Sequence, residues 1–569
     1  MVETRVRPTP YGYPAEPYRD GESSRPRMPS TPTTKSQVQA YRFVLRRMQS
    51  ALVRKDAVML HDPMRTHSRA TIVGVCVAAV GMVGFLVYGL LSPAPSLPKD
   101  SGIVIGQPSG AVYVLLANTE RGRVLVPTFN LASARLLLLA RSGGQQSQNQ
   151  QQGGQTDGGG AATGPADAEI VPDDKLVDIP RDRLTGIQDG PQLLPAAGQR
   201  VAGDWAVCDQ YQLDQSLNDP AGQNKIQTTV AAGVKDLGPE LAENEALLVQ
   251  SDTKKVYLVY RTPASANIKN ANTVRAEVDM SKGNIRSALN LAENSVRHIT
   301  TGLLNAIPEA PKLAPPDIPG RGGRSQADSM NALPVGSVVQ VERAGETDYY
   351  VLLADGVQQI KKTTADLIRF TTTEGGAEIT KVRPDQIPTA ISKTPVDDRT
   401  FPQVVPEVLS PANYPVACLG WDVVGAGSNA DQHTEVHVGK DLPLPHDAAG
   451  KAASIPISTP SADGQRLDFF YMPPGRAAVV RGATSAQDFS TGPIYLISDR
   501  GVKFGVPDKR TAVALGLDNQ LPAPDAIVRL LPNGASLNTR DVLQTYDVVP
   551  AAPGQFPSTT PQPAPNGGG

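Results

Sequence analysis

At 569 residues with 40% hydrophobic content, the chain can bury a sizeable core in several domains, and its 52 Gly and 51 Pro argue for turns and linkers rather than a helical bundle. A formal charge of −2 offers no general basic field, which excludes a nucleic-acid binder working by charge alone.

Residues 1–34 are rich in Pro, Arg and Ser, lack apolar periodicity, and read as a disordered tail. In residues 35–62 a pattern begins. Val38, Tyr41, Leu45, Met48 and Leu52 recur at three-and-four spacing, with Ser36 at a cap position and Pro63 beyond the end. The spacing predicts an amphipathic helix of about six turns. Its apolar stripe suits docking on a partner, and its basic face could instead lie on anionic lipid.

Residues 71–91, TIVGVCVAAVGMVGFLVYGLL, run for 21 positions without a charge or a Pro. At about 1.5 Å per residue such a helix crosses a hydrocarbon core about 30 Å thick, so the segment reads as a transmembrane anchor in the lipid bilayer. A secretory signal would start near residue 1 and be shorter. Gly74, Ala78 and Gly81 share one helical face, which allows close packing against another helix. Eight basic residues between Lys35 and Arg69 stand against Asp56 and Asp62, while the far side offers only Lys99 beside Asp100. That bias places the N-terminus in the cytoplasm and the bulk of the chain outside.

Beyond the anchor the fold class reads as α+β, with small ββα units repeated around a β-rich central core. The segments starting at Ala111, Tyr349 and Pro493 each show a short apolar strand near a Tyr, a Gly-containing turn, a second strand and a short helix. A weaker copy starts at Lys255. The expected organisation is a first repeat in 100–199 with a Gly/Gln-rich linker at 142–166, core and second repeat in 200–307, and a Pro/Gly linker at 308–330. A third repeat fills 331–400, the second part of the core 401–485, a fourth repeat 486–549, and a Pro-rich tail 550–569. The repeat tyrosines 113, 257, 350 and 495 lie 144, 93 and 145 apart, which excludes a tight solenoid.

Cys76 falls in the anchor, whereas Cys208 and Cys418 both fall outside, where an oxidising compartment sustains disulfides. Their surroundings, DWAVCDQ and YPVACLGWD, mirror each other with a Trp three residues from each Cys. A Cys208–Cys418 bridge with Trp205 and Trp421 nearby is expected; two buried free thiols are the alternative.

No G-x-x-x-x-G-K-[ST] phosphate loop occurs, and the Gly-Lys pairs at 439–440 and 450–451 lack its other elements. G-x-S-x-G and H-E-x-x-H are absent too. His433, Glu435 and His437 alternate on one strand face with His446 following, a pattern read as a solvated strand in preference to a metal site. The acidic pairs Asp173-Asp174 and Asp397-Asp398 read as solvated loops. No catalytic residue, cofactor or metal is assigned.

Three stretches taken together are more specific: TKSQVQAYRFVLRRM, then DPMRTHSRA directly before a single anchor, then GAVYVLLANTERGRVLVPTFNLASARLLL just outside. The chain resembles the EccB subunit of mycobacterial and other actinobacterial type VII (ESX) secretion systems. The resemblance implies a structural and assembly subunit of an inner-membrane secretion complex. Its partners would be the EccC motor ATPase, EccD, EccE and the mycosin protease, and its exterior would self-associate. Cys208 and Cys418 match the disulfide positions of that family. Some members are described as ATPases, but without a phosphate loop no residue here is assigned to hydrolysis. A peptidoglycan-anchoring module of the cell wall is the reading from a different class.

Overall fold

The computed structural model describes residues 35–54, 63–91, 97–149, 164–262, 272–326, 333–372, 378–425, 427–461, 463–465 and 467–547. Both expected tails, residues 55–62 and most of the Gly/Gln linker lie outside them. The chain divides into two compact bodies, Met1–Ala94 and Pro95–Gly569.

The N-terminal body holds two helices, α1 (Lys35–Arg54) and α2 (Pro63–Leu91). Pro63 opens α2, where its fixed φ and missing N–H cost nothing. The helix thereby joins Arg65 and Arg69 to the apolar run. Its stretch Arg69–Gly89 is the one helix among the described residues long and apolar enough to cross a membrane. Large apolar side chains are exposed all round it, as lipid requires.

The C-terminal body opens with β1 (Gly102–Gln107), β2 (Val112–Thr119), β3 (Gly122–Thr128), α3 (Leu131–Asn149) and β4 (Ala168–Pro172). β2 pairs antiparallel with β1 and β3, and β4 returns parallel to β1. This is the first repeat unit; β5 (Leu184–Thr185) adds beside β3. An antiparallel pair follows, β6 (Trp205–Tyr211) and β7 (Ile226–Ala232). The second unit is β8 (Glu245–Gln250), β9 (Val256–Arg261), β10 (Thr273–Val278), α4 (Gly283–Ala288) and β11 (Arg297–His298), with β11 again parallel to the first strand. α5 (Thr301–Ala306) and β12 (Glu309–Ala310) complete this half.

The same sequence of elements then recurs. The third unit is β13 (Val338–Arg343), β14 (Glu346–Leu353), β15 (Gly356–Ile360), α6 (Lys362–Thr372) and β16 (Thr380–Lys381). After the short β17 (Glu407–Val408), which pairs with β8, come β18 (Val416–Val424) and β19 (Asp431–Gly439), then β20 (Ile455–Pro456) and β21 (Phe469–Tyr471). The fourth unit is β22 (Ala477–Ala483), α7 (Asp488–Thr491), β23 (Ile494–Ser498), β24 (Lys503–Val506), α8 (Lys509–Leu515) and β25 (Leu521–Pro524). α9 (Asp525–Val528) follows, and β26 (Thr545–Tyr546) returns to β5.

Each repeat thus has strand order third, second, first, last. It contains two more strands than the expected ββα unit: one leading strand, and one closing strand of two to five residues too short to leave an apolar period. The leading strand of the fourth unit, β22, lies within residues expected to belong to the core. α3 extends to Asn149, well into the Gly/Gln tract, although it passes through Gly143 and Gly144, each of which costs a helix interior about 1 kcal/mol relative to Ala. The Pro-rich connector is also docked, with Leu313 buried against the second unit and Ile318 against the third.

β6, β7, β18, β19, β20 and β21 form one central six-stranded sheet, in the order β19-β18-β6-β7-β21-β20. One core joins this sheet to the second and fourth units and to α5 and α9. A second core fuses the first unit with the fourth, where α3 packs on α8 and Arg135 Nη1 donates to the Leu515 carbonyl at 2.7 Å. A third brings Leu367 of α6 from the third unit into the second unit's core beside α4. The chain is therefore a tandem of two like halves whose outer units are exchanged: each half's first unit packs on the other half's second.

Candidate functional site

α1 has a continuous apolar stripe that no described residue of its own body covers. Tyr41 is 67% exposed and Leu52 83%, and Val38, Leu45 and Met48 are also exposed. The helix carries Lys35, Arg42, Arg46, Arg47 and Arg54 and no acidic residue. In α2, a Cβ added at Gly74 or Gly81 would meet nothing within 4 Å, so the small-residue face is open to another helix.

In the central sheet, Cys208 and Cys418 are bonded, with S–S 2.05 Å. They sit directly opposite on β6 and β18, and three positions along Trp205 sits directly opposite Trp421. The mirrored spacing explains the register, because an antiparallel pair aligns residues at equal and opposite offsets. An odd offset reverses the face. The disulfide accordingly packs with Ala206, Leu237, Val416 and Leu442 on one side. The tryptophans join the large core on the other, where Trp421 meets Phe489 edge to face at 6.4 Å.

Next to Cys208 the strand buries a carboxylate. Asp209 Oδ2 accepts the Thr300 N–H at 2.7 Å, and Oδ1 accepts the Thr228 hydroxyl at 2.8 Å. Arg297, 1% exposed, stacks over the Tyr211 ring and donates to the Tyr414 carbonyl. Tyr211 Oη donates to the His298 carbonyl at 3.0 Å. Burial pushes the Asp209 carboxyl up to about 6, against the pull of its hydrogen bonds and of Arg297. The same burial lowers Arg297 to about 10 and raises Tyr211 to about 12. This network ties β6 and β7 to the second unit and has no part in the sequence expectations. Its one trace there is an Asp directly after the apolar run WAVC.

His433, Glu435 and His437 share the disulfide face of β19, pairing with Asp422, Gly420 and Cys418 respectively. They line a groove of about 420 Å³ together with Asp204, Lys235, Asp236 and Glu240. Gly420 keeps the groove's floor low, since a Cβ there would stand 2.6 Å from Leu237 Cδ1. His446 lies apart, bridging to Ala452.

The other candidates from the sequence are structural. Asp173 accepts the Ser109 N–H and hydroxyl. Asp397 pairs with Arg399, and Asp398 accepts the Lys361 N–H and the Thr364 hydroxyl at the start of α6. Gly439-Lys440 closes a strand and Gly450-Lys451 sits in a turn, and no helix begins at either. The described residues therefore show no helix N-terminus set behind a Gly-Lys pair, which phosphate binding by such a loop would need.

The chain matches the family model "Type VII secretion system ESX-1, transport TM domain B" over residues 30–551. It is 27% identical over 531 residues to the ESX-3 secretion system ATPase EccB3 of Mycolicibacterium smegmatis, spanning 91% of this chain and 92% of that one. It is also 27% identical over 529 residues to the ESX-1 secretion system ATPase EccB1 of Mycobacterium tuberculosis, spanning 92% and 96%. The fold is similar to a chain of an intact ESX-5 inner membrane complex, with TM-score 0.61, 23% identity, and 92% and 98% of the two chains covered. It is similar too to the EccB3 dimer from the ESX-3 core complex, with TM-score 0.57, 24% identity, and coverage of 78% and 100%. Since the match takes in the anchor, all four repeat units and the central sheet, the chain belongs to the EccB family of type VII secretion membrane proteins.

Proposed function

We propose that this chain is a structural and assembly subunit of a type VII secretion complex in the inner membrane. In this reading α2 fixes it in the bilayer, α1 docks on cytoplasmic partners, and the repeat-built body associates with other copies on the outer side. The observation that carries the reading is the exposed apolar stripe of α1, on a helix that ends at Arg54 while the membrane-length helix begins at Pro63. Support for the orientation comes from the basic flank of α2 and from the disulfide in the C-terminal body, which suits an oxidising compartment. Partners of the kind carried by secretion complexes, EccC, EccD, EccE and the mycosin protease, fit this placement. Close packing at Gly74, Ala78 and Gly81 against a neighbouring membrane helix belongs to the same proposal.

Replacing Leu45 and Leu52 by Asp tests it, because a charge in a desolvated helix interface costs several kcal/mol of binding while leaving the anchor untouched. The expected outcome is a variant that still inserts but migrates alone on native gels of mild-detergent membrane extracts, whereas wild type migrates in a large assembly. A variant retained in that assembly would overturn the docking role. The ATPase name of the relatives is tested separately: hydrolysis by purified protein above a contaminant control would add an enzymatic role that the missing phosphate loop argues against.

A further inference from the structure

The six-stranded sheet of the first unit ends on β4, and β4 is an open edge. It pairs parallel with β1 from Ala168 to Pro172 and makes no backbone hydrogen bond to any other element among the described residues. Ile170 is 58% exposed, whereas its neighbour Val171 is fully buried. Unpaired edges are templates for another chain, and folded proteins ordinarily blunt them. The three sibling closing strands are blunted, each by a different device. β11 has two residues, and the Tyr211 hydroxyl both accepts the His298 N–H and donates to the His298 carbonyl. β16 has two residues and carries Lys381, paired with Glu342. β25 is interrupted by Pro522 and Pro524, which have no N–H to offer. β4 has five residues with its one Pro at the last position, and nothing comparable protects it.

The edge is also held in place at both ends. Ahead of it, Arg135 on α3 donates to the Ala166 carbonyl at 3.3 Å and to the Leu515 carbonyl at 2.7 Å, which ties the strand's entry to the fourth unit. Behind it, the Asp173 carboxylate accepts the Ser109 N–H at 3.0 Å and the Ser109 hydroxyl at 2.8 Å. A strand fixed in this way loses little further freedom when a partner pairs with it. The residues of the strand then say which partner fits. Only alternate residues turn their backbone groups outward, so two copies of one edge pair antiparallel about a residue and not between two. Centred on Glu169, the pairing sets two carboxylates face to face; centred on Val171, it sets Glu169 against Asp173. Centred on Ile170, it sets Ile170 opposite itself, Glu169 opposite Val171 and Ala168 opposite Pro172. That register keeps like charges apart and gives the exposed Ile170 an apolar cross-strand neighbour.

We propose that β4 of one copy pairs antiparallel with β4 of a second copy about Ile170, joining the first-unit sheets of the two into one continuous sheet across a two-fold axis. The inference rests on the self-association proposed above and gives it a place and a register. Five residues a side make a small contact, and confinement of both copies by their anchors raises the effective concentration at which the edges meet.

The test uses the full chain in its own membranes, with Cys76→Ser removing the one free cysteine. Ile170→Cys should give a disulfide-linked dimer on mild oxidation, because directly opposed Cβ atoms lie within about 5.5 Å of each other. Glu169→Cys, whose counterpart lies two places along the facing strand at about 7–8 Å, should cross-link about tenfold less. Equal cross-linking at the two positions would mean collision or another register, and overturns the proposal. No Ile170 cross-link in a protein whose native mass in mild detergent still shows several copies overturns the β4 contact and leaves self-association standing. A monomeric native mass removes both. Amide exchange needs no substitution and covers any variant that melts below wild type: the β4 amides should exchange more slowly in the assembly than in dispersed protein. Slow exchange without the Ile170 cross-link would place a different chain on the edge and overturns the second-copy assignment.

Discussion

Asp209 is the side chain whose charge state bears most directly on stability. Its carboxyl is raised from 3.8 to about 6 by burial, so the folded protein holds a proton that the unfolded chain has released. The sign follows: a group raised on folding adds stability as pH falls through its folded value, and the gain levels off near its unfolded value. About two units corresponds to roughly 3 kcal/mol between pH 7 and pH 4, as an upper bound. Paired carboxylates whose values are lowered, such as the half-buried Glu277 beside Lys255 and Lys312, act in the opposite direction. The informative quantity is therefore a difference. Asp209→Asn keeps an acceptor for the Thr300 N–H and a donor toward Thr228, and removes the titration. Denaturant melts should show wild type gaining stability relative to the variant as pH drops from 7 to 4.5. A constant difference across that range would mean that Asp209 titrates normally.

At the scale of elements, each junction between units sets a short helix against a longer one, and the short ones depend on their ends. α8 has seven residues. Asp508 caps it by accepting the Thr511 N–H at 2.7 Å, and Gly516, at φ +78°, closes it in the left-handed region. Asp508→Ala should cost about 1 kcal/mol by loss of the cap. Because α8 packs on α3, the loss should appear as faster amide exchange in both helices, and exchange confined to α8 would contradict a shared core. The Asp508 cap was not singled out in the sequence, whereas the middle strands were legible there from their Tyr and Gly turns. The closing strands were not: β16 is two residues, and its parallel pairing with β13 is decided by the sheet and by no local pattern. α1 and α2 were legible because periodicity and length act within a single segment. The groove at His433 was half legible, since the alternation places three ionisable side chains on one face, but Asp422, Asn272 and the Gly238 carbonyl reach them only through tertiary pairing.

In the sequence the spacing of four tyrosines served only to exclude a tight solenoid; with the fold in hand it takes on a second meaning. Tyr113 to Tyr257 and Tyr350 to Tyr495 are 144 and 145 residues, the signature of two tandem halves each carrying two units. What spacing could not reveal is that the halves exchange their outer units across the central sheet. That exchange means neither half has a complete core of its own. The first unit's α3 lies on the fourth unit's α8, Leu367 of the third unit fills the core of the second, and β6 pairs with β18 along six residues. Buried apolar area is then shared mostly between halves, and the disulfide is one link among many. If the chain is expressed as two polypeptides divided between Met330 and Asn331, the halves should co-purify one to one, and should stay together after reduction or with both cysteines replaced by Ser. Expressed singly, each half should aggregate, since exposed apolar faces of that size are not tolerated in water. Soluble, separately folded halves, or association that depends on the disulfide, would show instead that each half is an independent domain pair and that the bridge, not the exchanged packing, unites them.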